Sequence, residues 1–170
     1  EIFQARGSYE YLGCPRQAPN ATPFKGYFIQ DAWARETVIG VIASPDHGGG
    51  NGRVGVWAKD LTREAIFEAV RARHTFGTSG AKMSLFFNAG DILMGDKVRR
   101  PNGPVTFHVQ AKALRDIKEL VIFRNNEIVF HQELGRKEVE ANWTDPQPPA
   151  AKHVCYYYAR IQATDEELAR

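Results

Sequence analysis

The chain is poor in cysteine and in net charge, and it has no long apolar run. Its two cysteines, Cys14 and Cys155, share no CxxC spacing, so they do not read as a paired-thiol motif. Cys155 sits among aromatics in a strand-like run and reads as a small buried apolar residue; Cys14 lies in a Gly-Cys-Pro turn. A disulfide between them stays open at this level. The formal charge is +2, too small to imply nucleic acid or an acidic membrane as partner. No apolar stretch approaches the roughly 20 residues that span a bilayer. No secretory signal opens the chain, and internal repeats and low-complexity segments are absent. There is no initiator methionine: Glu1-Ile2-Phe3 already reads as the middle of a strand, and Thr164-Asp165-Glu166-Glu167-Leu168-Ala169-Arg170 has no clear terminator. The expectation is a piece of a longer polypeptide, with room for further functional residues upstream of residue 1.

What is present is globular in kind. At 170 residues, 43% hydrophobic and 25% charged, the chain suits one ordinary domain or two small ones. Its most informative stretch is Val38-Ile39-Gly40-Val41-Ile42-Ala43-Ser44-Pro45-Asp46-His47-Gly48-Gly49-Gly50. An apolar run with the look of a buried parallel strand ends abruptly in an Asp-His pair and then in glycines. Parallel strands deliver ligands in this way to the carboxyl end of a sheet or barrel. A carboxylate beside an imidazole suits a divalent cation such as Zn²⁺, Mn²⁺ or Fe²⁺. The plainer alternative is a strand and a Gly-rich turn with both side chains solvated.

The pattern changes near residues 79–82. Before that point short strands alternate with helices: a strand over 1–5, a long loop over 6–25, a helix over 26–36, strands over 38–44 and 54–58. A further helix is N-capped by Thr62, carries Ile66, Phe67 and Val70 on its apolar stripe, and is closed by Arg71, Arg73 and His74. After Gly80 the spacing predicts strands over 83–87, 105–113, 119–124, 127–132 and 154–163. Asn125-Asn126 is a tight hairpin turn, and Asp145-Pro146-Gln147-Pro148-Pro149 a loop. Short strands between turn signals suggest an antiparallel immunoglobulin-like β-sandwich.

Several segments together resemble a known family: Glu1-Ile2-Phe3-Gln4, Gly7-Ser8-Tyr9-Glu10-Tyr11, Val41-Ile42-Ala43-Ser44-Pro45-Asp46-His47, Leu61-Thr62-Arg63-Glu64-Ala65-Ile66-Phe67 and Arg71-Ala72-Arg73-His74-Thr75-Phe76-Gly77-Thr78-Ser79-Gly80. Thr144-Asp145-Pro146 and Tyr156-Tyr157-Tyr158-Ala159-Arg160-Ile161-Gln162 fit as well. The chain resembles the C-terminal portion of the domain-of-unknown-function family 3604, which is related to the PHP (polymerase and histidinol phosphatase) metal-dependent hydrolases. The resemblance implies that residues 1–80 are the C-terminal part of a distorted α/β barrel and residues 81–170 an accessory sandwich. It implies a cluster of divalent metals, incomplete in this chain, and a small-molecule ester substrate, above all a phosphoester. The missing N-terminal portion of the same protein would be the natural partner, with no nucleic acid or membrane involved. His47 matches the ligand position of the superfamily's Asp-x-His motif. Asp46 stands next to it, and Pro45 occupies the usual place of the Asp.

In this reading His47 and Asp46 are metal ligands, and Asp46 is also the candidate catalytic base or metal bridge. The metal would acidify bound water and stabilise charge on a phosphoryl or carbonyl oxygen. Arg6 and Arg53 are candidate clamps for an anionic substrate, with Glu10 beside them and Glu1 as a further carboxylate. Gly48, Gly49, Gly50 and Gly52 form a rim without the Lys-Ser/Thr of a P-loop. His74 reads as a helix-end residue, and His108, His131 and His153 as structural or solvated. Two other readings compete: a carbohydrate- or protein-binding sandwich on a catalytically degenerate barrel, and a relative that has lost its metal.

Overall fold

The computed structural model describes residues 1–17, 25–99, 103–146, 148 and 154–164. His153, part of the loop after Asp145 and residues 165–170 lie outside them. The chain divides into two compact units, Glu1–Gly80 and Ala81–Arg170. It is rich in antiparallel β-structure with few helices, and among the described residues no barrel closes.

In the first unit, β1 (Phe3–Gln4) and β2 (Gly7–Ser8) form an antiparallel pair. Helix α1 (Ile29–Ala34) is shorter than the 26–36 span predicted from its apolar spacing, and both ends have local causes. Asp31 Oδ2 accepts from the backbone N–H groups of Gly26 and Phe28, each at 3.0 Å, so the chain before the helix is tied down. At the other end Glu36 adopts φ 62°. The N–H groups of Glu36 and Thr37 then donate to the carbonyls of Trp33 and Ala32 at 2.8 and 3.1 Å, the bond pair that terminates a helix.

Strand β3 (Arg53–Val56) precedes α2 (Arg63–Arg71). The Thr62 hydroxyl accepts from Ala65 N–H at 3.2 Å, the predicted N-cap. Arg73, at φ 66°, ends this helix as Glu36 ends the other. Its N–H and that of His74 donate to Val70 and Ala69, each at 3.0 Å. His74 is therefore part of the helix stop. Strand β4 (Thr75–Thr78) follows at once and pairs antiparallel with β3. The sequence reading has no strand there, because four residues after a helix stop carry no readable period.

The apolar run over 38–44 forms less strand than predicted. Ile2 N–H donates to Ile42 O at 2.8 Å, Ser44 N–H donates to Phe3 O at 3.2 Å, and a parallel bridge joins Phe3 to Ala43. Ala43 is buried, but Val38 and Ile42 are 44% and 41% exposed, so the run is not buried throughout. The ladder is short because β1 offers only two residues to pair with. On the other flank Thr75 Oγ1 donates to Val41 O at 2.7 Å. A Cβ on Gly77 would come within 2.8 Å of Ile2 Cγ2 and 3.1 Å of Ala43 Cβ. Residues 1–4, 41–44 and 75–77 thus run side by side in the same direction.

The second unit is built from β5 (Met83–Ala89), β6 (Ile92–Leu93), β7 (Val105–Arg124), β8 (Glu127–Asp145) and β9 (Tyr157–Ala163). They form one antiparallel sheet of order β6-β5-β7-β8, with β9 also paired to β7. Where the sequence predicts separate strands over 105–113 and 119–124, the chain makes one strand of 20 residues; the segment beginning at Glu127 extends to 19. Arg115, Asp116 and Lys118 suggest a break, but they mark a bend instead. The pairing register slips there, between Lys112 and Ile117 and again between Ile117 and Glu119.

That bend gives the unit its layers. β5 pairs with β7 before it and β9 pairs with β7 after it, while β8 follows β7 on both sides. Long strands that turn a corner at bulges carry one sheet into two facing layers. Phe107, before the bend, meets Tyr157, which pairs with Arg124 after it; their rings are 4.3 Å apart. Phe87 and Trp143 stack on Phe107 at 5.2 and 6.0 Å. Val109, Ile117, Leu120 and Ile122 are wholly buried between the layers. Each such side chain stabilises the fold by about 1.5–3 kcal/mol relative to its exposed state. Asn125 and Asn126, at φ 48° and 69°, make the two-residue turn into β8.

Candidate functional site

The parallel segment 41–44 delivers its end to a turn. Asp46 there adopts φ 57°, a left-handed conformation that Asp tolerates better than most side chains. Its backbone N–H donates to Ser44 Oγ at 3.2 Å, and that hydroxyl in turn donates to the Glu1 carboxylate. The loop then folds back tightly. A Cβ on Gly50 would lie 2.7 Å from Pro45 O and 2.8 Å from Ala5 Cα, and one on Gly52 would collide with the Ser44 carbonyl. Gly50 and Gly52 are there to let backbone meet backbone, a different task from cradling a phosphate.

This turn places Asp46 between His47 and Arg6. Its Oδ1 lies 3.5 Å from His47 Nε2 and its Oδ2 lies 3.4 Å from Arg6 Nη1. The Asp46 side chain is 19% exposed and that of His47 is 86% exposed, so the imidazole projects into solvent from a sheltered carboxylate. The Arg6–Asp46 pair is half in water and contributes about 0–1 kcal/mol. One carboxylate and one imidazole at this separation are donor types that Zn²⁺, Mn²⁺ and Fe²⁺ accept. Catalytic sites for such ions use about three protein ligands, and among the described residues no three His, Cys, Asp or Glu side chains converge. Here the described residues bring together two donors, Asp46 and His47.

The predicted residues fall into two sets. Asp46, His47, Arg6 and Glu1 are linked, Arg6 and His47 through the Asp46 carboxylate and Glu1 through Ser44. Arg53 and Glu10 are engaged elsewhere. Arg53 Nη1 donates to Gly80 O at 2.6 Å, and Glu10 is buried, its carbonyl accepting from Gln30 N–H at the start of α1 at 3.1 Å.

A second polar centre escaped the sequence reading. Asp145, predicted as a loop residue, is almost fully buried at the end of β8. Its Oδ2 accepts from Tyr157 Oη at 2.7 Å and from Arg124 Nη1 at 2.9 Å. Burial, then the hydrogen bond to Asp145, holds the Tyr157 hydroxyl well above its ordinary pKa. The same carboxylate raises Arg124, burial opposing it. A buried charge must be paired, and this one is. Its sequence signal was faint: an Asp before Pro146 at the end of a run whose strand character is interrupted by charges.

The profile of a family described as "Protein of unknown function (DUF3604)" matches residues 29–114, from α1 to the bend in β7. The chain belongs to that family. An uncharacterized protein of Chlamydia pneumoniae is 26% identical over 134 residues, an alignment that takes in 69% of this chain and 21% of the relative. The chain thus spans about a fifth of the length of the curated relative it matches. No solved structure matches. The matched region of the family contains the Asp46-His47 turn, both helices and the β3–β4 pair.

Proposed function

We propose that this DUF3604 chain is the C-terminal part of a metal-dependent hydrolase of PHP type, phosphoesterase-like in chemistry. In this reading residues 1–80 are the last portion of a distorted α/β barrel, and residues 81–170 are an accessory β-sandwich of immunoglobulin-like kind. The observation that carries it is the Asp46-His47 pair on a turn at the end of a parallel-running segment. The direction shared by residues 1–4, 41–44 and 75–77 supports it, since barrel strands run parallel and expose their carboxyl ends.

His47 would hold a divalent cation, with Asp46 as co-ligand or as the carboxylate that orients the imidazole. Bound there, the ion would lower the pKa of a water and polarise a phosphoryl oxygen. Arg6, on the far oxygen of Asp46, is within reach of an anionic group beside that ion. The remaining ligands would come from the missing N-terminal portion of the same protein, so this chain alone would be inactive. The test is hydrolysis of a panel of chromogenic phosphomonoesters and phosphodiesters by the full-length parent protein. Activity abolished by His47→Ala supports the reading; activity and metal content unaltered by that substitution refute it.

The alternative is a ligand-binding sandwich on a degenerate barrel. Its support is the outward face of β7 and β8, where Thr106 meets Thr144 at 2.8 Å and His108 and Gln110 share Glu140 at 3.2 and 3.5 Å. A polar sheet face of this kind can bind a sugar by hydrogen bonds. Glycan affinity of the whole chain that His108→Ala abolishes would favour this alternative.

A further inference from the structure

Helix α2 wastes its apolar stripe. An amphipathic helix in a stable domain turns its large apolar side chains inward, yet the buried residue of α2 is Ala69, while Phe67 is 61% exposed and Ile66 and Val70 are exposed too. Leu61, just before its N-cap, is exposed as well. The neighbouring strand β3, which touches α2, adds exposed Val54, and Trp57 follows it. Phe67 is shielded only in part by Arg71, whose guanidinium lies 5.9 Å from its ring. Exposed apolar residues scattered singly need no explanation; several on two touching elements mark an interaction surface.

The matched relative is about five times as long as the part aligned to this chain. We infer that the α2–β3 surface is covered by another segment of the same polypeptide, which lays its own apolar side chains over Ile66, Phe67 and Val70. The inference rests on the reading of the chain as part of a longer hydrolase and names the surface by which the parts join. Polar substitution on this face then has different consequences in the two settings. In the 170-residue chain the side chain already stands in water, so Phe67→Asp leaves the thermal midpoint unchanged. In the parent protein the same change puts a carboxylate into a packed interface and lowers it.

The experiment is hydroxyl-radical labelling of Phe67 in the parent protein and in this chain, with metal content measured on the same samples and sedimentation on the chain. The expected result is severalfold weaker labelling in the parent, a monomeric chain, and a midpoint lowered by Phe67→Asp in the parent only. Equal labelling in the two proteins overturns the inference. So does a dimer of this chain that Phe67→Asp dissociates, which would assign the surface to a second copy. A parent in which Phe67 is protected but no metal is bound upholds the interface and refutes the hydrolase. A metal-loaded parent with Phe67 fully labelled does the reverse.

Discussion

Tyr157 donates to Asp145 across 2.7 Å, and Arg124 reaches the same carboxylate oxygen at 2.9 Å. Asp145 ends β8, Tyr157 begins β9 and Arg124 ends β7, so one buried carboxylate ties together three strand ends. Removing the carboxylate takes the counter-charge from a part-buried guanidinium; removing the hydroxyl loses one hydrogen bond. Asp145→Ala is expected to cost about 2–4 kcal/mol and Tyr157→Phe about 1 kcal/mol. Urea unfolding of the chain checks the order, and a larger loss in Tyr157→Phe contradicts it.

The same contact sets an alkaline limit. The Tyr157 pKa is raised from its ordinary 10.0, so the folded state holds the phenol proton more tightly than the unfolded chain. Stability from this group is complete below pH 10 and is lost as pH rises above it toward the folded-state value. The wild-type chain is expected to lose stability between about pH 10 and 12 more steeply than Tyr157→Phe. Parallel slopes in the two unfolding series would rule out this linkage.

The core of the second unit is tested by two leucines on one strand. Leu120 is wholly buried after the bend, and Leu114 is 65% exposed within it. Leu120→Ala should cost about 2–5 kcal/mol through lost contacts and a cavity. Leu114→Ala should stay within about 0.5 kcal/mol. Comparable losses would mean that the layers do not face each other as described.

Gly52 links loop packing to the Asp46 turn. An alanine methyl there collides with the Ser44 carbonyl, and Ser44 holds both Asp46 N–H and Glu1. Gly52→Ala is expected to destabilise the chain by about 1–3 kcal/mol. Under the proposed hydrolase reading it also weakens metal retention in the parent protein, because the turn must shift. Unchanged stability and metal content would show that the loop absorbs the methyl freely.

The sequence showed most where one local interaction decides the outcome. Thr62 announces its helix because a hydroxyl three residues ahead of Ala65 can cap it, and Asn125-Asn126 announces a turn because Asn accepts positive φ. Alternation along 105–112 identifies the buried face, because a strand exposes every second side chain to one environment. It showed less where distant partners decide. The 20-residue β7 keeps pairing through Arg115, Asp116 and Lys118 because β8 follows it around the bend, which composition does not reveal. The strand over 38–44 dwindles to one bridge because β1 is short. Around the candidate site, adjacency put Asp46 and His47 together, but the contacts to Arg6 and Glu1 depend on a parallel neighbour. Asp145 reads as a loop residue because only its tertiary partners, Arg124 and Tyr157, make it a buried one.

The measurement that bears most directly on the hydrolase reading is elemental analysis of the natural full-length protein, its His47→Ala variant and this 170-residue chain, purified without chelator. Stoichiometric divalent metal in the parent, sharply reduced in both the variant and the chain, is the predicted result. A parent without metal, or a His47→Ala variant that retains it in full, would contradict a metal centre at Asp46-His47.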